Sequence, residues 1–203
     1  MKISKRSEKI VQLCKNKTVL DIGCIDHKAS TEKSEGWVHK RIKRVASSLK
    51  GLDYEAKEVE KLRKKGYNIV YGDAENFDLQ EKFDVIVCGE LIEHLLNVGN
   101  FLDCVRKHMH KDSILILTTP NAFATRRIVG SIIKGRLNEN KEHVAYYSDT
   151  TIYQLLRRKN FRNITIEYLE SWDNNNMRLF LERILNKIMR NNNNMVLFVT
   201  CTF

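Results

Sequence analysis

Short apolar runs alternate along the chain with segments whose apolar residues recur every three to four positions. That alternation predicts a mostly parallel β-sheet with helices packed on both faces. Ile10, Val11 and Cys14 share one side of a helix expected over 4–14, and TVLDI at 18–22 reads as a buried strand that stops at Gly23. Val38, Ile42, Val45 and Leu49 predict a helix over roughly 37–49. A short strand ends at Gly51-Leu52-Asp53, and the helix EAKEVEKLRKK after it halts at Gly66, a residue able to take the positive φ of a helix end. Residues 68–71 make a third strand, followed by the acidic loop GDAENFD, and DVIVC at 84–88 makes a fourth, apolar enough to be central.

The second half continues the pattern. Val98, Phe101, Leu102, Val105 and Met109 trace one helix face, and the strand at 113–119 is ended by Pro120, the only proline. Ser148 or Asp149 can cap the helix carrying Ile152, Leu155 and Leu156. Residues 163–169 alternate as an edge strand does, and a last strand covers 195–203. An apolar stripe from Met177 to Ile188, bracketed by asparagine tracts, predicts a helical insertion at about 172–194. Seven strands and about six helices make one doubly wound domain over 1–203, with no repeat and no linker long enough to split it.

Composition narrows the class a little. No run nears the roughly 18 apolar residues of a membrane span, and the basic amino terminus lacks the apolar core of a secretory signal. The five cysteines are scattered and form no C-x-x-C pair, which argues against a disulfide framework or a zinc site and leads us to expect a cytoplasmic protein. The net charge of +10 is compatible with anionic partners, RNA included, but the lysines are spread without a block of like charge.

In doubly wound sheets ligands bind outside the carboxyl ends of the strands. Those ends carry Asp21-Ile22-Gly23-Cys24, Asp53-Tyr54, Gly72-Asp73-Ala74-Glu75 and Gly89-Glu90. Such a set suits a ligand with a ribose diol, an amino-bearing base and a cationic amine. Gly23 permits close backbone approach. Asp53 can accept from two ribose hydroxyls, Tyr54 offers a flat face to the base, and Asp73 with the Ala74 N–H can read an exocyclic amine. Asp21 and the loop at Gly89 and Glu90 can hold an ammonium group.

The stretches VLDIGC, GLDYEA, GDAENF, FDVIVCGELIEHL and ILILTTPN, in this order and spacing, resemble the class I S-adenosylmethionine-dependent methyltransferases over roughly residues 15 to 170. The resemblance implies a Rossmann-like methyltransferase fold, S-adenosylmethionine as cofactor and methyl transfer to an oxygen or nitrogen of an unidentified acceptor, either a small molecule or polymer-linked. It carries the family's cofactor contacts onto Gly23, Asp53 and Asp73. One departure is plain: where the family usually has G-x-G, this chain has Gly23-Cys24-Ile25, with a β-branched residue in the loop. The departure keeps open a degenerate domain that binds cofactor or a partner without turnover. A nicotinamide enzyme is disfavoured, since G-x-G-x-x-G is absent and Asp53 lies 30 residues beyond Gly23, against roughly 20 in that fingerprint.

For acceptor chemistry, Glu90, Glu93 and His94 fall at i, i+3 and i+4 and would point one way on a helical turn, where His143 could join them. Two carboxylates and two imidazoles suit magnesium or manganese. The arrangement is similar to that of small-RNA 3′-terminal 2′-O-methyltransferases, which implies a metal-assisted RNA alternative. A metal-free role for His94, as general base or pocket wall, is preferred. Arg126, Arg127, Lys134 and Arg136 are candidates for an anionic acceptor, while His39, His108 and His110 read as solvated and Trp37 as packing at the surface of the core.

Overall fold

The computed structural model describes residues 4–25, 33–124, 127–128, 130–131, 135, 140–169 and 195–203. Seven strands form one sheet in the order β3-β2-β1-β4-β5-β7-β6. In chain order the elements are α1 (Lys5–Leu13), β1 (Thr18–Ile22), α2 (Val38–Lys43), β2 (Ser48–Asp53), α3 (Ala56–Lys64), β3 (Ile69–Tyr71) and β4 (Phe83–Gly89). A 3₁₀ turn (Ile92–His94) then leads to α4 (Val98–Lys107), β5 (Met109–Pro120), α5 (Asp149–Arg158), β6 (Arg162–Leu169) and β7 (Val196–Thr202). β1 to β5 run parallel, and β7 lies antiparallel between β5 and β6. β4 is central and β6 is an edge, as their patterns required.

Side chains alternate between faces along a strand, so each apolar run feeds two cores. Leu20, Ile22, Ile86, Cys88, Leu115 and Leu117 meet Phe101, Leu102 and Val105 of α4 and Ile152 and Leu156 of α5 on one face. Val19, Val85, Val87, Ile116 and Phe198 meet Ile10 of α1, Cys14 just after it and Ile42 of α2 on the other. Local chemistry starts the helices. The Ser4 hydroxyl accepts the Ser7 N–H at 3.2 Å to cap α1, and Ser148 with Thr151 forms a capping box at α5.

Several expectations need correction. The helix placed at 37–49 ends at Lys43, because the N–H groups of Val45 and Ala46 both donate to the Ile42 carbonyl and close the turn. Ser47 then bonds Lys17 O at 2.9 Å, which draws Leu49 into β2 beside β1. Met109 begins β5 rather than ending α4. His39 and His108 are not solvated: each is 1% exposed, and Trp37 lies within the core at 2%. His110 lies on β5, half-buried, with Nε2 3.2 Å from Asp84. The proposed insertion at 172–194 lies outside the described residues, as do His27, Arg126, Lys134, Arg136 and Trp172.

Candidate functional site at the strand tips

Strand order reverses between β1 and β4, so their carboxyl ends flank the crevice where such sheets bind ligands. A small cleft sits there, between those tips and the starts of α1 and α2. Asp21, Gly23, Cys24, Trp37, His39, Gly89 and Arg6 are among the side chains and backbone that line it.

The first loop is held firmly. Gly23 has φ +68°, a left-handed conformation, and its N–H donates to Leu52 O at 2.9 Å. Asp21, 5% exposed, sits 2.8 Å from His39 Nδ1. Trp37 Nε1 donates to the Cys24 carbonyl at 2.7 Å. The start of α2 thus clamps the tip of β1. Gly51 makes room for this: a Cβ there would stand 2.7 Å from Cys24 Sγ, 2.9 Å from Ile69 and 3.0 Å from the His39 ring. Cys24 is itself buried, and burial pushes its thiol well above the ordinary range, so it packs rather than reacts.

Ile25, the residue that departs from G-x-G, turns its side chain into a cluster with Val59, Leu62 and Ile69. It is not among the residues lining the cleft. Its N–H donates to Asp53 Oδ2 at 2.8 Å, while Glu55 N–H donates to Oδ1 at 3.1 Å. Asp53 is 4% exposed, and burial, outweighing these two amides, raises its carboxyl above the ordinary value. Each oxygen keeps a second acceptor direction. Tyr54, next along, is 57% exposed. Asp73 is exposed and turns Oδ1 onto its own loop, accepting Glu75 N–H at 2.8 Å, with Ala74 half-buried beside it.

Of the nine positions expected to meet cofactor, Asp21, Gly23, Cys24 and Gly89 therefore line the cleft. Asp53, Tyr54, Asp73, Ala74 and Glu90 lie outside its lining, on the neighbouring tips. Sequence reasoning missed His39, Trp37, Gly51 and Arg6. The signal for His39 was the need of a buried Asp21 for a partner.

On the acceptor side the grouping differs from the expected one. Glu90 takes φ +53°, so it leaves the helical turn and cannot stack on Glu93 and His94; its carboxylate instead pairs with Arg6 at 3.1 Å. Glu93, His94 and His143 do converge, with one ligand atom from each lying within 4.8 Å of the others. The Glu93 carbonyl accepts from Val144 and Ala145 at 2.9 and 3.2 Å, which brings the His143 segment to the 3₁₀ turn. Glu93 Oε2 accepts from Thr119 Oγ1 at 3.0 Å, and Oε1 is buried with no hydrogen-bond partner among the described residues. Burial pushes the Glu93 carboxyl up to about 7. His94 Nδ1 lies 3.1 Å from the Glu142 carbonyl, which can only accept, so Nδ1 is the donor in that contact. A carboxylate with two imidazoles is a donor set that could hold magnesium or manganese.

The sequence pattern of the methyltransferase domain family matches residues 2–166. The chain belongs to that family. Its strand order, with β7 reversed, is the class I S-adenosylmethionine-dependent methyltransferase fold. The same fold is seen in a crystal structure of an S-adenosylmethionine-dependent methyltransferase from Archaeoglobus fulgidus, with a TM-score of 0.68 at 19% identity over 98% of this chain and 91% of that one. Among curated methyltransferases, (S)-tetrahydroprotoberberine N-methyltransferase of Eschscholzia californica is 27% identical over 106 residues, 52% of this chain and 30% of that one. The ubiquinone biosynthesis O-methyltransferase of Rickettsia akari is 29% identical over 94 residues, 44% of this chain and 38% of that one. The methyltransferase-family chain thus spans about a third of the length of these two relatives. Among its described residues no helix is long and apolar enough to cross a membrane.

Proposed function

We propose that this chain transfers the methyl group of S-adenosylmethionine to an oxygen or nitrogen of a small acceptor. The observation that supports the reading is the order of the tips: the Gly23 loop, Asp53 and Asp73 follow β1, β2 and β3 in turn, on the side of the sheet where Asp21 and Gly89 line the cleft. Asp53 is assigned to the ribose hydroxyls, Tyr54 to the face of the base, Asp73 and the Ala74 N–H to its edge, and Asp21 with the backbone of Gly23, Cys24, Gly89 and Glu90 to the amino-acid end. When bound, the cofactor supplies a methyl group made electrophilic by its sulfonium.

The chain's own groups then align the acceptor and take its proton. His94 Nε2 is assigned as the base, its tautomer set by the Glu142 carbonyl. An apolar acceptor is favoured by the exposed apolar side chains on the segments that follow β4 and β5: Leu96, Phe123, Val144 and Tyr146 are 86%, 57%, 54% and 46% exposed. With methyl-labelled cofactor and a cell extract, label should enter an organic-extractable small molecule. His94→Ala should cut the rate by roughly 10²- to 10⁴-fold. Label recovered in RNA or protein, or an unimpaired variant, contradicts the respective part.

One observation favours a second arrangement, in which Glu93, His94 and His143 hold a divalent cation: the orphaned, buried Glu93 Oε1. His94 is then a ligand rather than a base. Magnesium or manganese should raise the melting temperature through linkage, and Glu93→Gln should abolish the rise. No rise with either ion excludes the arrangement.

A further inference from the structure

The connection from β3 to β4 is tied to both ends of α4. At its start Asp73 and Asn76 close a tight turn, with the Asn76 N–H donating to the Asp73 carbonyl at 3.1 Å. Asp73 Oδ1 takes the Glu75 N–H at 2.8 Å, which links the Asp73 carboxylate to the Glu75 backbone. The half-buried Glu75 side chain then reaches across to the segment after β4. Its Oε1 accepts from the N–H groups of Leu96 at 2.7 Å and Asn97 at 3.0 Å, just beyond the 3₁₀ turn that carries Glu93 and His94. α4 depends on this contact. Its own cap residue, Asn97, makes no side-chain cap bond, and its first turn holds no acid. The positive end of the helix is therefore served by a carboxylate from another loop. At the far end, Leu79 N–H donates to His108 Nε2 at 2.8 Å and Phe77 stacks on the His108 ring at 4.7 Å.

We propose that Glu75 is a positioning residue that passes occupation of the base subsite on to the acceptor side. The proposal rests on reading Asp73 as a contact of the cofactor's base and the turn at 92–94 as the acceptor side. Asp73 commits one oxygen to the Glu75 N–H and has the other to offer the base's amine. A ligand held there fixes the turn at 73–76 and, with it, the direction of the Glu75 side chain. One carboxylate oxygen shared by two N–H groups is a charge-assisted contact, and its strength falls steeply as the donors go out of line. Without it Leu96 and Asn97 lose their acceptor, and the segment after His94 is released from the loop. Cofactor binding thereby draws the turn with Glu93 and His94 into place before the acceptor arrives. Such coupling is reciprocal: what the ligand adds to the contact, the contact returns as affinity for the ligand.

The test is amide hydrogen exchange by NMR, with S-adenosylhomocysteine as the probe. In the wild type, saturating ligand should slow exchange at Leu96 and Asn97 about 5- to 20-fold. Glu75→Ala should exchange fast at both amides with or without ligand, while residues 73–76 are still slowed by it. Its Kd for S-adenosylhomocysteine, by calorimetry, should rise by about the same factor. Glu75→Gln keeps an oxygen acceptor and should restore most of both effects. A merely structural cap would protect Leu96 and Asn97 equally with and without ligand in the wild type, and that result overturns the proposal. Ligand-induced slowing that survives in Glu75→Ala overturns it too. Should Glu75→Ala fail to fold, the wild-type comparison decides alone. Ligand that binds without slowing residues 73–76, or a wild type that binds none, contradicts instead the reading of the base subsite on which the proposal rests.

Discussion

Glu93 offers a sharp test of how deeply the acceptor side is buried. Its carboxyl is 2% exposed, and desolvation lifts it to about 7 from an ordinary 4.5. The folded chain therefore keeps a proton on Glu93 that the unfolded chain releases as pH rises from about 4.5 to about 7. Where the folded state binds more protons, stability falls with rising pH. The full contribution is present below about pH 4.5 and is lost by the time pH passes about 7, a change of about 3 kcal/mol at 1.36 kcal/mol per unit. Glu93→Gln carries no proton to lose, and its amide can still accept from Thr119. Urea unfolding of both proteins across pH 4.5 to 8, with a chelator present so that no cation competes, isolates the effect. The variant should gain on the wild type by about 3 kcal/mol from the acidic to the neutral end, or roughly 6–12 °C in Tm at this chain length. Curves that stay parallel across the range would show that Glu93 titrates as a solvated acid, and the buried-acid account would be wrong.

Other expectations follow from the clamp on the first loop. Gly51→Ala places a methyl group against Cys24, Ile69 and His39; it should cost about 1–3 kcal/mol in denaturant unfolding, and an unchanged midpoint would show that the loop yields freely. Asp53→Ala should weaken S-adenosylhomocysteine by about 1.5–3 kcal/mol in calorimetry, because both the ribose acceptor and the tie to Ile25 are removed. Equal affinity would place the ribose elsewhere.

The sheet was legible because its central parallel strands carry short apolar runs, VIVC in β4 and ILIL in β5, and the order of the tip motifs then located the crevice. The misread segment at 45–49 shows the limit of periodicity. Val45 and Leu49 keep helical spacing, yet Leu49 belongs to β2, since pairing with β1 outweighs a local preference that short runs state weakly. The acceptor group was half legible. Glu93, His94 and His143 do meet, but Glu90 drops out because a left-handed backbone, which no spacing rule anticipates, breaks the turn before it begins. His39 was hidden for another reason: its partner Asp21 is 18 residues away, and only the fold brings them together. Ile25 looked like an obstacle to close approach, and the core beneath α3 absorbs it.

A crystal structure of the chain with S-adenosylhomocysteine tests the central claim most directly. The account predicts one nucleoside laid across the tips of β1 to β4, its ribose on Asp53, its base beside Asp73 and its amino-acid arm in the cleft beside Asp21 and Gly89. Density for the ligand anywhere else, or strand tips left bare at saturating concentration, would contradict it.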